Sequence, residues 1–362
     1  IITTVFGHPR IINSIDCQNI NSIILAYQNS TYFQDLVAQL HFGSIGVNGR
    51  LSTDLSNFNV GDGLDLEPIR DFGFVLPQEL GLIPDSLEKI DSLVFDAIRQ
   101  KAMPGCQIVA SRYGKIFYNK SFGFHTYDSL KIVQDSDLYD IASVTKIVSA
   151  APILMKLTDE NKIKLNKKIK TYYPNFKNTE IQNLKLIDIL SHQAKLFSWI
   201  PFWKYFVDEN NNLNESAFSK SLSDKYNLQI ANNLFFNQQY IDTIYEIIYK
   251  YPLLKKKEYR YSDLGFYLLY PVLEDKLYLS IENYLLEHIY YPIEAFRIRY
   301  NPVNKTSLSS IVPTEKDMYF RKQLIHGFVH DQGAALFGGI SLHAGLFSNA
   351  IDLMKIMQLY LD

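Results

Sequence analysis

The sequence predicts an α+β chain with a helical lobe, preceded by a separate α/β segment. Three observations carry this. Apolar strand-like runs alternate with a helical pattern over residues 1–66; two strand-like runs flank a turn near residue 113; and residues from about 150 to 330 hold mostly helical patterns before the chain returns to a sheet. At 362 residues and 47% hydrophobic content, the chain has material for about two domains, with 67–83 as linker and 84–362 as the second domain.

The elements follow in order. Ile1 to Phe6 and Ser22 to Tyr27 are short apolar runs suited to buried parallel strands. Thr31 to Leu40 reads as a helix capped by its threonine, with Gly43 near its end. Two or three strands do not complete a doubly wound sheet, so residues 1–66 are expected to be a remnant of a larger α/β domain. Ile1 opens inside a strand-like run without an initiator methionine. Asp85 to Lys101 is a charged amphipathic helix, and Gln107 to Ser111 with Ile116 to Ser121 flank Arg112-Tyr-Gly-Lys115 as a hairpin. Ile147 to Leu157 is apolar nearly all round and therefore expected to be buried. Asp208 to Asn214 is a wet loop, and Leu264 to Leu273 a second apolar helix.

Composition excludes several classes. Lys+Arg 36 against Asp+Glu 38 leaves the chain nearly neutral, which argues against nucleic acid or anionic lipid as a main partner. Two cysteines, Cys17 and Cys106, are too few for a disulfide framework and fit no metal spacing. The eight histidines include no His-x-x-x-His pair with a nearby acid, so neither a metal nor another cofactor is expected. No window of 18 apolar residues is present to span a membrane.

Ser143-Val-Thr-Lys146 is the most informative motif. It reads as a helix start, where i and i+3 share a face, so the lysine amine can reach the serine hydroxyl. The positive end of the helix dipole favours an oxyanion there. Serine is a poor nucleophile until a base takes its proton, and a lysine facing an apolar core can act as that base because burial lowers its pKa. Spacing alone is weak evidence: Ser86-Leu-Glu-Lys89 shares it on the charged amphipathic helix. A Tyr261-Ser-Asp263 triplet precedes the second apolar helix.

Together, Ser143-x-x-Lys146 and Tyr261-x-Asp263 resemble the serine β-lactamase and penicillin-binding-protein superfamily, whose Ser-x-x-Lys signature carries the nucleophile. The branch most like it is that of class C β-lactamase-related esterases and amidases. Met103 to Val109, Ser121-Phe-Gly-Phe124, Ile189-Leu-Ser-His192-Gln-Ala194, Val312-Pro-Thr-Glu315, Val329-His-Asp331 and Gly338 to Phe347 resemble one bacterial group of that branch. The resemblance implies a β-lactamase/transpeptidase-like antiparallel sheet flanked by helices, and an acyl-enzyme on Ser143 with Lys146 and Tyr261 sharing the proton transfers. Which of the two takes the first proton stays open.

Departures matter too. The superfamily usually has Asn where this chain has Asp263; an ionised carboxylate only accepts hydrogen bonds, so Asp263 either orients a different substrate or holds Lys146 charged. Lys195 stands where relatives usually have glycine. A third motif is expected beyond Asp362, leaving residues 84–362 incomplete and the fragment weakly active; the rival is His343-Ala-Gly345. His192 and the His330-Asp331 pair are read either as members of a triad or as hydrogen-bonded residues that fix loops. Trp199, Phe202 and Trp203 either line a substrate groove or pack in the core.

In residues 1–66, Val5-Phe-Gly-His-Pro9, Leu25-Ala-Tyr-Gln-Asn29 and Phe42 to Leu51 resemble the last strands of family 3 glycoside hydrolases, which include β-N-acetylhexosaminidases. These resemblances imply a two-enzyme fusion: an upstream glycosidase, then a serine amidase or peptidase acting on peptidoglycan-derived muropeptides, in a periplasmic or extracytoplasmic setting. A broad carboxylesterase, a β-lactamase-like enzyme and a non-catalytic wall-peptide-binding module are the alternatives.

Overall fold

Ile2–Val5 (β1) and Ser22–Leu25 (β2) pair in parallel, Ile2 opposite Ser22 and Val5 opposite Leu25. The structure is a computed structural model that describes residues 2–68, 73–177 and 179–361. It divides into two compact units, Ile1–Asp96 with Ile108–Lys120, and Ala97–Gln107 with Ser121–Asp362. The expected linker at 67–83 falls partly outside the described residues.

In the first unit, α1 (Thr31–His41) follows the parallel pair. Its cap is Ser30, whose hydroxyl accepts from Phe33 N–H, and not the threonine expected from the sequence: Ser30 holds the extended backbone that a cap needs, while Thr31 is already helical. Gly43, at φ 72°, closes α1 with Gly43 N–H on Leu40 O and Ser44 N–H on Gln39 O, the paired bonds of a Schellman ending. Val5, Ile12 and Leu55 form a small core. β3 (Gly73–Phe74) runs parallel to the start of β5 (Lys115–Gly123). The amphipathic helix α2 (Pro84–Arg99) begins on a proline, which fits the first turn because its missing N–H would have no helical partner. Asp91 of α2 accepts from Tyr118 and Lys120. β4 (Gly105–Arg112) and β5 are joined through Tyr113 and Gly114 at φ 53° and 67°, the left-handed pair of a tight hairpin. The strand order in this sheet is β3-β5-β4.

The second unit holds the large core. β6 (Tyr139–Asp140) leads through a turn into α3 (Ala151–Asp159). His125 and Asp137, both buried and 2.7 Å apart, brace the approach to β6. The lobe then runs through single turns and α4 (Leu186–Leu190), α5 (Tyr240–Lys250), α6 (Leu264–Lys276) and α7 (Ile281–Leu285).

Residues 150–330 are less helical than their patterns suggest. A three-stranded sheet, β7 (Phe218–Ser219), β8 (Tyr226–Ala231) and β9 (Leu234–Asn237), interrupts the lobe with the antiparallel order β7-β9-β8. Its buried apolar side chains are Phe218, Ile230, Ala231, Leu234 and Phe236; Phe236 lies against Phe206 and Phe218, and Phe218 also against Phe320. Each such aromatic contributes roughly 1.5–3 kcal/mol on full burial.

After β10 (Arg299–Tyr300), the hairpin β11 (Glu315–Asp317) and β12 (Gln323–Ile325) precedes α8 (Gln332–Leu336). β13 (Leu346–Ser348) then lies between β10 and β6, antiparallel to both, with Phe347 opposite Arg299 and Asp140. α9 (Ala350–Leu359) is capped by Asn349. The fold is α+β, with sheets flanked by helices, and the return to β6 brings residues 339–348 against the serine turn.

Candidate active site

Asp140 builds the turn that presents Ser143. One carboxylate oxygen accepts Ala142 N–H at 2.8 Å and the other His330 N–H at 2.6 Å. Burial pushes this carboxyl above its ordinary value, and the two N–H bonds counter that. Ala142 is held at φ 44°, a left-handed backbone that a residue with a Cβ rarely adopts. Such strain persists only where its surroundings impose it. Ser143 is exposed within the three-residue turn Ala142–Val144, and one π-turn (Lys146–Ala150) intervenes before α3. Ser143 therefore lies in the turn ahead of the helix and not on its first turn. Thr145, fully buried, accepts Leu346 N–H on its hydroxyl, which ties the turn to β13.

Lys146 is 5% exposed because Ala150, Ile153 and Leu157 on the same face are drawn into the core. Ile147 and Met155 remain exposed, so this helix is not buried all round as its composition suggests. The ammonium donates to Ser143 Oγ at 2.9 Å and to the carbonyl of His343 at 3.0 Å. It also lies 2.7 Å from Asp263 Oδ1. That contact is ionic, and the buried oxygen accepts no hydrogen bond among the described residues. Above the ammonium sit the rings of Tyr261, 4.9 Å to the centroid, and Phe266, 5.3 Å, a cation–π arrangement.

Tyr261 and Asp263 come from the loop that caps α6, and His192 holds that loop. Ser262 N–H donates to His192 Nδ1 at 3.1 Å, Arg260 N–H donates to His192 O at 2.8 Å, and the His192 and Tyr261 rings are 4.5 Å apart. Burial, and then the charge of Lys146, pull the imidazole below its ordinary value. Ser262 Oγ donates to Phe197 O, and Asp263 N–H to Ser198 O. Lys195 sits at φ 59°, the left-handed region. Glycine is the residue best suited to that backbone.

His343 faces inward. It is 1% exposed, with Nε2 3.0 Å from Asp331 Oδ1, Nδ1 on Ser341 Oγ, and its ring 4.4 Å from that of Tyr267. The ring is thus turned away from any substrate, and the backbone carbonyl is what reaches Lys146. Burial would raise the Asp331 carboxyl, but the His343 charge and hydrogen bond, Ala334 N–H and Lys146 outweigh it and hold the group well below the usual carboxylate range. The His330 ring pairs with Glu315 at 3.4 Å.

Of the residues singled out from sequence, Ser143, Lys146, Tyr261, Asp263 and His192 come together. Trp199 is exposed one residue beyond Ser198. Phe202 and Trp203 are core: Phe202 lies against Tyr267, and Trp203 stacks on Phe320. Sequence reading passed over Asp140, Thr145 and Phe266. An aspartate two residues before Ala142 has the spacing of a side-chain-to-backbone turn, the one signal available. Among the described residues, no group of three His, Cys, Asp or Glu is arranged to hold a metal ion.

Comparison with known proteins places these features in a family. A family model described as beta-lactamase matches residues 90–362. Proteins named "Putative D-alanyl-D-alanine carboxypeptidase" in Salmonella gallinarum and Salmonella agona are each 27% identical over 313 residues, covering 79% of this chain. The chain spans 66% of the length of those relatives. Among solved structures, the octameric penicillin-binding protein homologue from Pyrococcus abyssi is similar at a TM-score of 0.55 and 19% identity, over 76% of this chain and 56% of that one. A class C β-lactamase from Rhodobacter sphaeroides is similar at 0.54 and 14%, over 75% and 64%. The fold is shared with these, the serine–lysine pair lies within the matched residues, and the chain belongs to the β-lactamase family.

Proposed function

We propose that this chain is the serine hydrolase part of an enzyme that cleaves an amide in peptidoglycan-derived muropeptides through an acyl-enzyme. The observation that carries this is the buried Lys146 ammonium, 2.9 Å from the exposed Ser143 hydroxyl. Ser143 Oγ attacks the carbonyl carbon as its proton passes to the base, either Lys146 in its uncharged amine form or Tyr261 as phenolate. The C–N bond breaks, the amine departs with that proton, and water then releases the acyl group. Lys146, held by His343 O and Asp263, offsets negative charge developing at Ser143. The names carried by the Salmonella relatives support a wall-peptide substrate.

The sugar-side resemblance of residues 1–66 extends this reading to a fusion, with a family 3 glycoside hydrolase domain upstream, residues 67–83 as linker and the hydrolase from residue 84. One partner trims the sugar and the other frees the peptide, which implies an extracytoplasmic site of action.

Incubating the full-length protein with muramyl-peptides tests the reading. Peptide release is expected, and Ser143→Ala is expected to abolish it; release that persists in the variant, or none from the wild type, counts against it. A second reading, a module that binds wall peptides without turnover, draws support from Asp263, whose carboxylate sets a negative charge against Lys146.

A further inference from the structure

Asp263 is joined to Ser143 through a shared ammonium. Lys146 Nζ touches Ser143 Oγ at 2.9 Å and Asp263 Oδ1 at 2.7 Å, and it also donates to an uncharged backbone carbonyl at 3.0 Å. The positive charge that reaches the nucleophile is therefore set against a carboxylate. Asp331 lies in the field of the same lysine, so the acidic side of the balance is not relieved there. A carboxylate accepts hydrogen bonds and never donates them. A carbonyl oxygen or carboxylate that a bound molecule turns towards Asp263 meets acceptor against acceptor; an amide N–H or an ammonium meets a partner.

We propose that Asp263 is a specificity-determining residue: it selects acyl donors that place an N–H donor or an ammonium beside the scissile carbonyl, and it rejects those that place a carboxylate there. This rests on Ser143 being the nucleophile of the reaction proposed above. The bonds made and broken are the same for every donor, with Ser143 Oγ–C formed, C–N cleaved and the hydroxyl proton carried off on the amine; Asp263 decides which donor is held. An internal amide is favoured, because its leaving amine has no free carboxylate next to the cleaved bond. A C-terminal dipeptide is disfavoured, because its leaving residue has one.

The experiment compares rates of covalent modification of Ser143 by mass spectrometry in the full-length protein, phosphonylation with loss of fluoride for the first probe and acylation with lactam opening for the other two. The probes are a neutral alkyl fluorophosphonate, benzylpenicillin, and the methyl ester of benzylpenicillin. The wild type is expected to react about tenfold or more faster with the ester than with the acid, as one unit charge a few ångströms away dictates. Asp263→Asn, which keeps an acceptor oxygen for Lys146, is expected to close that gap, read as the ester-to-acid rate ratio whatever the change in absolute rate; Asp263→Glu is expected to keep it. Equal wild-type rates for acid and ester overturn the proposal without recourse to a variant. So does an Asp263→Asn effect that is the same for all three probes. Absence of any adduct on Ser143 with every probe sinks the nucleophile assignment itself, and the proposal with it.

Discussion

Lys146 occupies a position where a charged side chain is expensive unless it is partnered, and each of its partners is identifiable: Ser143 Oγ, His343 O, Asp263 and two ring faces. The i, i+3 spacing made the first contact legible in the sequence. The carbonyl of His343, 197 residues away, was not, because a backbone acceptor leaves no mark on residue type. The same holds for Lys195, whose positive φ leaves no mark on the residue type. His192 carries a prediction of its own. Burial and Lys146 hold its imidazole below the ordinary 6.5 in the fold, so the unfolded chain binds that proton more readily. Acid thus draws the equilibrium towards unfolding, with the loss setting in as pH falls through about 6.5. His192→Asn keeps an oxygen for the Ser262 N–H, and its stability should fall less than that of the wild type between pH 7 and 5, as read by denaturant titration. Parallel curves would remove His192 from the account.

At the scale of elements, strands and helices with strong local signals are where the patterns put them: the β4–β5 hairpin with its Tyr113-Gly114 turn, the parallel β1–β2 pair and the buried α6. The β7–β9–β8 sheet was missed because its strands are short and its aromatics, Phe218 and Phe236, read equally well as helix or strand without knowledge of Phe206 and Phe320. The β11–β12 hairpin depends on an ion pair with no local signature. Arg321 and Asp317 have side chains 0% and 1% exposed, 3.0 Å apart, and Arg321 also donates to Val329 O and His330 O beside the site. Burial opposes the Asp317 charge, but the N–H groups of Phe320, Arg321 and Tyr319 and the guanidinium keep its carboxyl low. Arg321→Ala leaves that carboxylate uncompensated and should destabilise by about 3–5 kcal/mol in chemical denaturation. A loss under about 1 kcal/mol would show that solvent or another cation replaces the arginine.

For the whole molecule, the family resemblance read from scattered motifs agrees with the family match over residues 90–362, and the α+β architecture follows from it. The upstream sugar-cleaving partner stands on sequence resemblance in residues 1–66, where the parallel pair and α1 form a unit with only a small core of their own. The proposed chemistry rests on one contact, a serine hydroxyl held by a buried lysine with several partners. Labelling the full-length protein with a neutral fluorophosphonate and mapping the adduct tests it most directly. The account predicts a single adduct on Ser143, absent in Ser143→Ala and formed roughly 10²–10⁴ times more slowly in Lys146→Met, the range of a lost acid–base partner. An adduct on a different residue, or an undiminished rate in Lys146→Met, would contradict it.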